Sequence, residues 1–152
     1  KYFLDQTSDI FVGGNQRKIV NFWTGEGDNA KSVTQTILEK MFGELSIKFS
    51  TTLITGKKTA TGSACPELAR AGDGVRLATL EEPGKDEQIN IGTFKLLSGN
   101  DTIWVRDLFE KGKSTKEMLP LFKLIFISNK PPDIRFSDKA TWNRIRILPF
   151  ES

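Results

Sequence analysis

Hydrophobic positions in this chain follow two spacings, one typical of strands and one typical of helices. Runs of apolar and β-branched residues predict strands at 18–23, 47–54, 75–80, 122–128 and 145–150. The run at 122–128 is the most apolar and is predicted to be the central strand. Helices are predicted at 66–71, 87–97 and 137–142, and from Ser32 to a C-cap at Gly43, where the residues at helical spacing are Val33, Ile37, Leu38, Met41 and Phe42.

Strands that alternate with helices favour an α/β fold, with three α/β/α layers and a mostly parallel central sheet. Right-handed crossovers would place the ends of these strands along one edge of the sheet. Residues 102–109 are predicted to form a strand or hairpin arm, followed by a charged loop at 110–116. No repeat, low-complexity tract or linker is present, so we expect a single domain over 1–152. Because the chain starts without Met and stops just after an apolar strand, we expect a fragment of a larger protein.

Composition narrows the classes of function. The 152 residues are 38% hydrophobic and 27% charged, as in a folded domain, and the net charge of +3 permits a nucleic-acid partner without requiring one. The absence of histidine excludes His-based catalysis, and one cysteine can form neither an internal disulfide nor a zinc site. The cysteine content fits a reducing compartment. No membrane-spanning run or signal peptide is evident, so we expect a protein that is neither membrane-bound nor secreted.

The segment between the strand at 18–23 and the following helix has the composition of a phosphate-binding loop. Small residues let backbone N–H groups turn towards a phosphate chain, a lysine at the end reaches the outer phosphates, and the next hydroxyl can bind Mg²⁺. Lys31 and Ser32 occupy those two positions. The predicted nucleotide-binding residues are Gly25, Glu26, Gly27, Asp28, Asn29, Ala30, Lys31 and Ser32. The alternative is a glycine-rich turn before an ordinary helix.

Ala30 departs from the usual pattern, which has glycine directly before the lysine. Its Cβ either fits because the local φ is negative, or strains the loop and weakens nucleotide binding.

Polar residues follow two of the predicted strands. Glu81 and Glu82 end the strand at 75–80 and could act on a metal ion and on an attacking water. Asn129 follows the strand at 122–128 and could position that water or bind a γ-phosphate. The alternatives are a solvated acidic turn and an asparagine that merely favours a strand exit.

Two basic regions complete the candidate chemistry. Arg144 and Arg146 alternate with apolar residues, so either could reach the nucleotide of a neighbouring subunit or lie on a solvated strand face. Basic residues with an aromatic between them suit single-stranded nucleic acid, and those predicted to bind DNA are Lys95, Trp104, Arg106, Lys111 and Lys113. The alternative there is a charged surface hairpin with Trp104 packed inward.

With these residues in order, the chain resembles the superfamily 3 helicases, most closely the ATPase domain of the primase-helicases of poxviruses, other large DNA viruses and some phages. The matching blocks are the loop at 25–32, the strand with Glu81 and Glu82, residues 95–106, residues 122–129 and residues 138–150. They extend from about residue 18 to residue 150, and their order and spacing are more specific than any one block.

This resemblance implies a P-loop NTPase of the AAA+ type that assembles into a hexameric ring around single-stranded or forked DNA. By correspondence, Lys31 and Ser32 would bind the phosphates of ATP and Mg²⁺, and Glu81 and Glu82 would form the acidic motif. Glu81 is then assigned to the metal, while alignment on Arg76 favours Glu82 as the general base. Asn129 would be the polar sensor and Arg144, rather than Arg146, the finger acting in trans. Residues 95–106 would form the block associated with DNA contact.

The function expected from this resemblance is that of the motor domain of a viral replicative helicase, joined to a primase region in the same polypeptide. It would hydrolyse ATP between subunits and act at viral replication sites in the host cytoplasm or nucleus. Two alternatives remain open: a non-translocating ATPase switch, and a scaffold that cannot bind nucleotide because of Ala30.

Overall fold

The computed structural model describes residues 1–27, 29–56, 64–84, 87–108, 115–131, 134 and 138–151. The helices are α1 (Tyr2–Asp9), α2 (Lys31–Phe42), α3 (Thr52–Thr55), α4 (Pro66–Ala71), α5 (Ile91–Leu97) and α6 (Lys139–Trp142), with a 3₁₀ turn at Gly43–Leu45. The strands are β1 (Val20–Thr24), β2 (Ser46–Phe49), β3 (Leu77–Glu81), β4 (Ile103–Val105), β5 (Lys116–Met118), β6 (Lys123–Ile127) and β7 (Ile145–Pro149).

Five strands form a parallel sheet in the order β2-β3-β6-β1-β7. Val20 at the start of β1 is in register with Leu124 on one side and Ile145 on the other. The strand β6 lies in the middle, as its apolar sequence predicted. The non-consecutive order requires crossovers, and these bring the carboxyl ends of the parallel strands to one edge.

Helices cover both faces of this sheet. On one face Phe22 and Phe126 stack with ring centroids 4.5 Å apart and pack with Phe94 of α5. On the other face Trp23 and Ile125 belong to a core cluster with the inward side of α2 and the end of the N-terminal segment. The three-layer α/β/α fold with a mostly parallel central sheet is therefore confirmed.

The strand predicted at 47–54 is wrong in its second half. The strand β2 ends at Phe49, and the chain then turns into α3. At this turn the Ser50 backbone N–H donates to the Glu67 carboxylate at 3.2 Å, and the hydroxyls of Ser50 and Thr52 lie 2.8 Å apart. Hydroxyl side chains that bind local groups in this way compete with a strand ladder.

Two other boundaries also differ from the predictions. The helix predicted at 87–97 begins only at Ile91, because the Asn90 side chain accepts a hydrogen bond from the Thr93 N–H at 3.1 Å and caps it. The hairpin predicted near 102–109 is present as β4 paired antiparallel with β5, which begins at Lys116, within the predicted charged loop. The rest of that loop, 110–115, lies outside the described residues except for Thr115.

The apolar positions of α2 divide between two sides of the helix. Leu38 and Phe42 are buried, whereas Val33, Ile37 and Met41 are exposed. Their spacing in the sequence gave no basis for separating the two groups.

Among the helices described here, none is both long enough and apolar enough to cross a membrane.

Candidate nucleotide-binding site

The loop between β1 and α2 is held against the ends of two neighbouring strands. The Gly25 N–H donates to the Asn129 carbonyl at 3.3 Å, and the Phe150 N–H donates to the Thr24 carbonyl at 2.7 Å. Gly25 has φ +147°, and a Cβ there would overlap the Phe150 carbonyl oxygen and the Asn29 amide nitrogen. Only glycine fits this position, because both the backbone angle and the close approach exclude a side chain.

Ala30 forms the last turn before α2 in the left-handed conformation, with φ 61° and ψ 8°. Of the two possibilities left open by the sequence, the structure therefore shows the one in which the Cβ is strained. For an L-residue this conformation costs about 1–2 kcal/mol relative to the right-handed region.

Lys31 folds back across the loop. Its side chain is buried, and its ammonium donates to the Gly25 carbonyl and, at 3.1 Å, to the Asn29 side-chain oxygen. Asn29 in turn donates to the carbonyls of Glu26 at 2.8 Å and Phe150 at 3.0 Å. The ammonium is thus held at the centre of the loop, where phosphate oxygens could replace its present acceptors.

A cavity of about 480 Å³ opens beside this loop. Most of the predicted site residues that the structure describes contribute to its wall, although they come from three separate parts of the chain. Its lining is Gly27, Asn29, Ala30, Lys31, Ser32, Val33, Glu81, Glu82, Ile127, Ser128 and Asn129. Asp28, also predicted to bind nucleotide, lies outside the described residues.

The two glutamates at the end of β3 have different partners. Glu82 accepts a hydrogen bond from the Asn129 backbone N–H at 2.9 Å, which ties the end of β3 to the end of β6. Glu81 forms an ion pair with Lys48 of β2 at 2.7 Å. The hydrogen bond that the Lys48 ammonium donates to Glu81 raises the pKa of Lys48, while partial burial opposes that shift.

Lys48 was not among the residues predicted from the sequence. It lies between the buried Ile47 and Phe49, so strand alternation places its side chain on the opposite face of β2 from those two. This alternation of apolar and polar residues is the feature of the sequence that could have identified Lys48.

The oxygen donors at the cavity suit Mg²⁺ better than a transition metal. A serine hydroxyl at position 32 and the carboxylates of Glu81 and Glu82 are hard ligands. Within the described residues there is no cluster of three or more His, Cys, Asp or Glu side chains able to form a complete protein cage. Mg²⁺ bound with nucleotide needs only one or two protein ligands, because phosphates and water complete its shell.

The arginines lie at the opposite edge of the sheet from the loop. The Val20 N–H at the start of β1 donates to the Arg144 carbonyl at 2.7 Å. Five residues of strand separate that level from Gly25, a distance of about 16 Å. Arg144 donates to the Ala140 carbonyl at 2.8 Å, and Arg146 donates to the Asn143 carbonyl at 3.0 Å. Neither arginine therefore contributes to the cavity of its own chain.

Three of the predicted DNA-binding residues lie in the described part of the chain, on α5, in β4 and directly after β4. Trp104 is exposed between the buried Ile103 and Val105, so the alternative with Trp104 packed inward is wrong. Arg106 follows β4, where its carbonyl accepts from the Cys65 N–H at 2.8 Å. Lys111 and Lys113 lie outside the described residues.

Lys95, another predicted DNA-binding residue, forms an ion pair with a carboxylate. It lies on α5 and pairs with Asp138 at 2.6 Å. Asp138 also accepts from the Thr141 N–H at 2.9 Å and caps α6. These bonds, with the one from Lys95 first, hold the pKa of Asp138 well below its usual range.

No family model matches the chain. Proteins of large DNA viruses do match it, over its whole length. "Putative helicase 022R" of Frog virus 3 (isolate Goorha) is 53% identical over 152 residues, and "Putative helicase 184R" of Invertebrate iridescent virus 6 is 49% identical over 153 residues. "Putative helicase L207/L206" of Acanthamoeba polyphaga mimivirus is 34% identical over 152 residues.

This chain is homologous to one segment of those viral proteins. It spans 16% of the length of the first two relatives and 15% of the third.

Solved structures show the same fold at low sequence identity. The C-terminal region of NrS-1 in its apo form aligns with a TM-score of 0.65 and 16% identity, covering 99% of this chain and 32% of that one. JCV helicase aligns with a TM-score of 0.54 and 13% identity, covering 98% of this chain and 39% of the other. The α/β architecture is therefore one found in helicase domains, consistent with a P-loop NTPase.

Proposed function

We propose that this chain is the ATP-hydrolysing motor domain of a viral DNA helicase of superfamily 3. The observation that carries the proposal is the single cavity in which the Lys31 loop, the Glu81–Glu82 pair and Asn129 meet. These groups are about 50 residues apart along the chain, and the parallel sheet brings all three to its carboxyl edge. The helicase names of the viral relatives support the same conclusion.

Each residue has a role that follows from its position. The start of α2 would direct backbone N–H groups and the positive end of the helix towards phosphates. Lys31 exchanges its bonds to Gly25 and Asn29 for phosphate oxygens. Ser32 and Glu81 would hold Mg²⁺, Glu81 by exchanging its ion pair with Lys48 for the metal, and the metal would supply positive charge to the phosphates.

Glu82 would orient the attacking water and accept its proton. Glu82 accepts a hydrogen bond from the Asn129 N–H, which holds Glu82 between the ends of β3 and β6. Glu81 instead contacts Lys48 of β2, the strand on the other side of β3. The side-chain amide of Asn129, on the same cavity wall, would hold the γ-phosphate or the water. Water attacks the γ-phosphorus in line, and ADP and phosphate are released.

The chain would act as one subunit of a hexameric ring on DNA. Because Arg144 lies about 16 Å from its own loop, it would serve the nucleotide of a neighbouring subunit in a hexameric ring. The exposed Trp104 would stack on a base of single-stranded or forked DNA. A primase region in the same polypeptide, and action at viral replication sites in the host cytoplasm or nucleus, complete the proposal.

The test is DNA-stimulated hydrolysis of ATP by the intact protein, with Glu82→Gln beside wild type. We expect the variant to bind Mg²⁺-ATP like wild type and to lose hydrolysis by about 100- to 10,000-fold, the usual effect of a general base. Glu44→Gln, an exposed acid in the 3₁₀ turn, is the matched control. Hydrolysis at the wild-type rate by Glu82→Gln would exclude Glu82 from the mechanism. A wild-type rate that is the same with and without DNA would favour a non-translocating ATPase switch.

A second candidate, a scaffold that binds no nucleotide, is favoured by one observation, the left-handed conformation of Ala30. Ala30→Gly separates the two. If wild type binds no Mg²⁺-ATP and the glycine variant does, the scaffold is correct, whereas comparable binding by both supports the ATPase.

A further inference from the structure

The ion pair between Lys48 and Glu81 lies on the side of the sheet that α2 covers. Lys48 of β2 is in register with Thr79 of β3, so their side chains point to the same side, as does that of Glu81 two residues further along β3. The Thr79 hydroxyl donates to the carboxylate of Glu39 on α2 at 2.7 Å. Lys48 therefore has two carboxylates on its side of the sheet, Glu81 at the cavity and Glu39 on the helix.

The carboxylate of Glu39 is held in place without the help of Lys48. Its Oε1 atom accepts hydrogen bonds from the buried side chains of Thr79 and Gln35, each at 2.7 Å. Within the described residues, its Oε2 atom has no hydrogen bond or ion pair. The hydrogen bond to Glu81 is the main reason that the pKa of Lys48 is raised, and the charge of Glu39 adds to the rise. Glu39 is thus a fixed anion close enough to act on the Lys48 ammonium.

Mg²⁺ and Lys48 compete for the same carboxylate. Glu81 bonds to the Lys48 ammonium at 2.7 Å, and the proposed function requires that carboxylate to hold the metal. A divalent cation at Glu81 would also repel the ammonium. The Lys48 side chain is 52% exposed and has a flexible stem, so it can turn away without disturbing the core. The Oε2 atom of Glu39 can then accept its charge.

We propose that Lys48 moves from Glu81 to Glu39 when Mg²⁺ binds, and that these two residues set the affinity of the nucleotide site for the metal. Lys48 lowers that affinity by occupying Glu81, and Glu39 raises it by accepting the displaced ammonium. Both are positioning residues, because they act through Glu81. This inference rests on the proposed function of the cavity and adds two residues to the site.

The first experiment measures the Mg²⁺ concentration that half-saturates binding of a fluorescent, non-hydrolysable ATP analogue to the intact protein. Lys48→Met should lower this concentration about three- to fivefold, in the range of an exposed ion pair. Lys40→Met removes the same charge from an exposed position on α2 and should match wild type. Lys48→Arg should also stay close to wild type, because a guanidinium can pair with either carboxylate. Affinity for the analogue in EDTA should be the same in all four proteins.

The second experiment tests whether Glu39 acts through Lys48. Glutamine at position 39 keeps an oxygen for Thr79 and Gln35 but loses the charge that would receive the ammonium. Glu39→Gln should therefore raise the half-saturating Mg²⁺ concentration about two- to threefold in the wild-type background and leave it unchanged in the Lys48→Met background. Glu44→Gln, which removes an exposed charge beyond the end of α2, is the control for both backgrounds.

Three results would overturn this inference. The first is a half-saturating Mg²⁺ concentration for Lys48→Met that equals or exceeds that of wild type. The second is an effect of Glu39→Gln that is the same in both backgrounds, since Glu39 would then attract the metal directly. The third is weaker binding of the analogue by Lys48→Met in EDTA, which would assign Lys48 to the phosphates. The cavity would keep its proposed function in these cases, whereas wild-type protein that does not bind the analogue with Mg²⁺ would reject that function itself.

Discussion

The two ends of the parallel strands use similar residues for different purposes. We call the side of the sheet where the strands end the carboxyl edge and the side where they begin the amino edge. At the carboxyl edge, Lys31, Glu82 and Asn129 line an open cavity. At the amino edge, Lys123 is buried and bonds to the Gly14 carbonyl and, at 3.1 Å, to the Asp9 carboxylate. Asn15 is also buried there and bonds to both the N–H and the carbonyl of Ile19.

The difference follows from connectivity. Residues that leave a parallel strand at its carboxyl end enter loops that surround a crevice, so their polar groups stay available to a ligand. The residues entering the strands at the other end are covered by α1 and the following turn, so their polar groups are satisfied within the protein. A lysine at one edge is therefore expected to matter for activity and a lysine at the other for stability.

The largest effect is expected from Gly25→Ala at the carboxyl edge. The new Cβ would overlap the Phe150 carbonyl, and φ +147° is unfavourable for alanine, so the loop must move. We expect loss of measurable Mg²⁺-ATP binding in calorimetry. Gly84→Ala, outside the loop, is the control, because a Cβ at Gly84 makes only ordinary van der Waals contact with the Glu87 side chain, and its binding should stay close to wild type. Equal loss in both variants would contradict the described loop geometry.

Lys123→Met tests the amino edge. The methionine keeps much of the apolar stem but leaves the Asp9 carboxylate and the Gly14 carbonyl without their donor. We expect the free energy of unfolding in urea to fall by about 1.5–3 kcal/mol, with unchanged ATP hydrolysis per folded molecule. Arg17→Ala breaks the exposed ion pair to Asp5 and should cost less than about 1 kcal/mol. Loss of activity without loss of stability in Lys123→Met would reverse the assignment of the two edges.

A smaller gain is expected from Ala30→Gly. Glycine removes the left-handed penalty of about 1–2 kcal/mol but increases the entropy of the unfolded chain. The net effect should be a rise in the free energy of unfolding of about 0.5 kcal/mol, measured by urea titration. A fall in stability would indicate that Ala30 does not adopt this conformation in solution.

The smallest effect concerns pH. Lys95 and the start of α6 hold the pKa of Asp138 below its unfolded value, so the unfolded chain binds the proton first as pH falls. The stabilising contribution of Asp138 is therefore complete above about pH 5 and declines below about pH 4. Asp138→Asn should show a weaker loss of stability over that acidic range than wild type. Parallel pH profiles for the two proteins would exclude this contribution.

Much of the fold and site could be predicted because local pattern and tertiary contacts agree. Alternating apolar runs located the five strands of the sheet, and the loop composition located the turn between β1 and α2. The strand order at the carboxyl edge then explains why residues from distant segments share a cavity.

Other features depend on contacts that a local pattern does not contain. Alternation at 47–54 fits a strand, but the side chain of Glu67 and the hydroxyls of Ser50 and Thr52 favour a turn into α3. The conformation of Ala30 is set by a loop whose Asn29 bonds to Phe150, 121 residues away. Helical spacing grouped Val33, Ile37 and Met41 with Leu38 and Phe42, although only the latter two reach the core.

The most direct test of the account is Mg²⁺-ATP binding to the intact protein by calorimetry, with Lys31→Ala beside wild type and Lys40→Ala as the control. Lys31 contacts the loop at the centre of the cavity, whereas Lys40 is exposed on the same helix. The account predicts that wild type and Lys40→Ala bind with equal affinity and that Lys31→Ala binds at least about tenfold more weakly. Equal binding by all three proteins would contradict the assignment of this cavity as the nucleotide site.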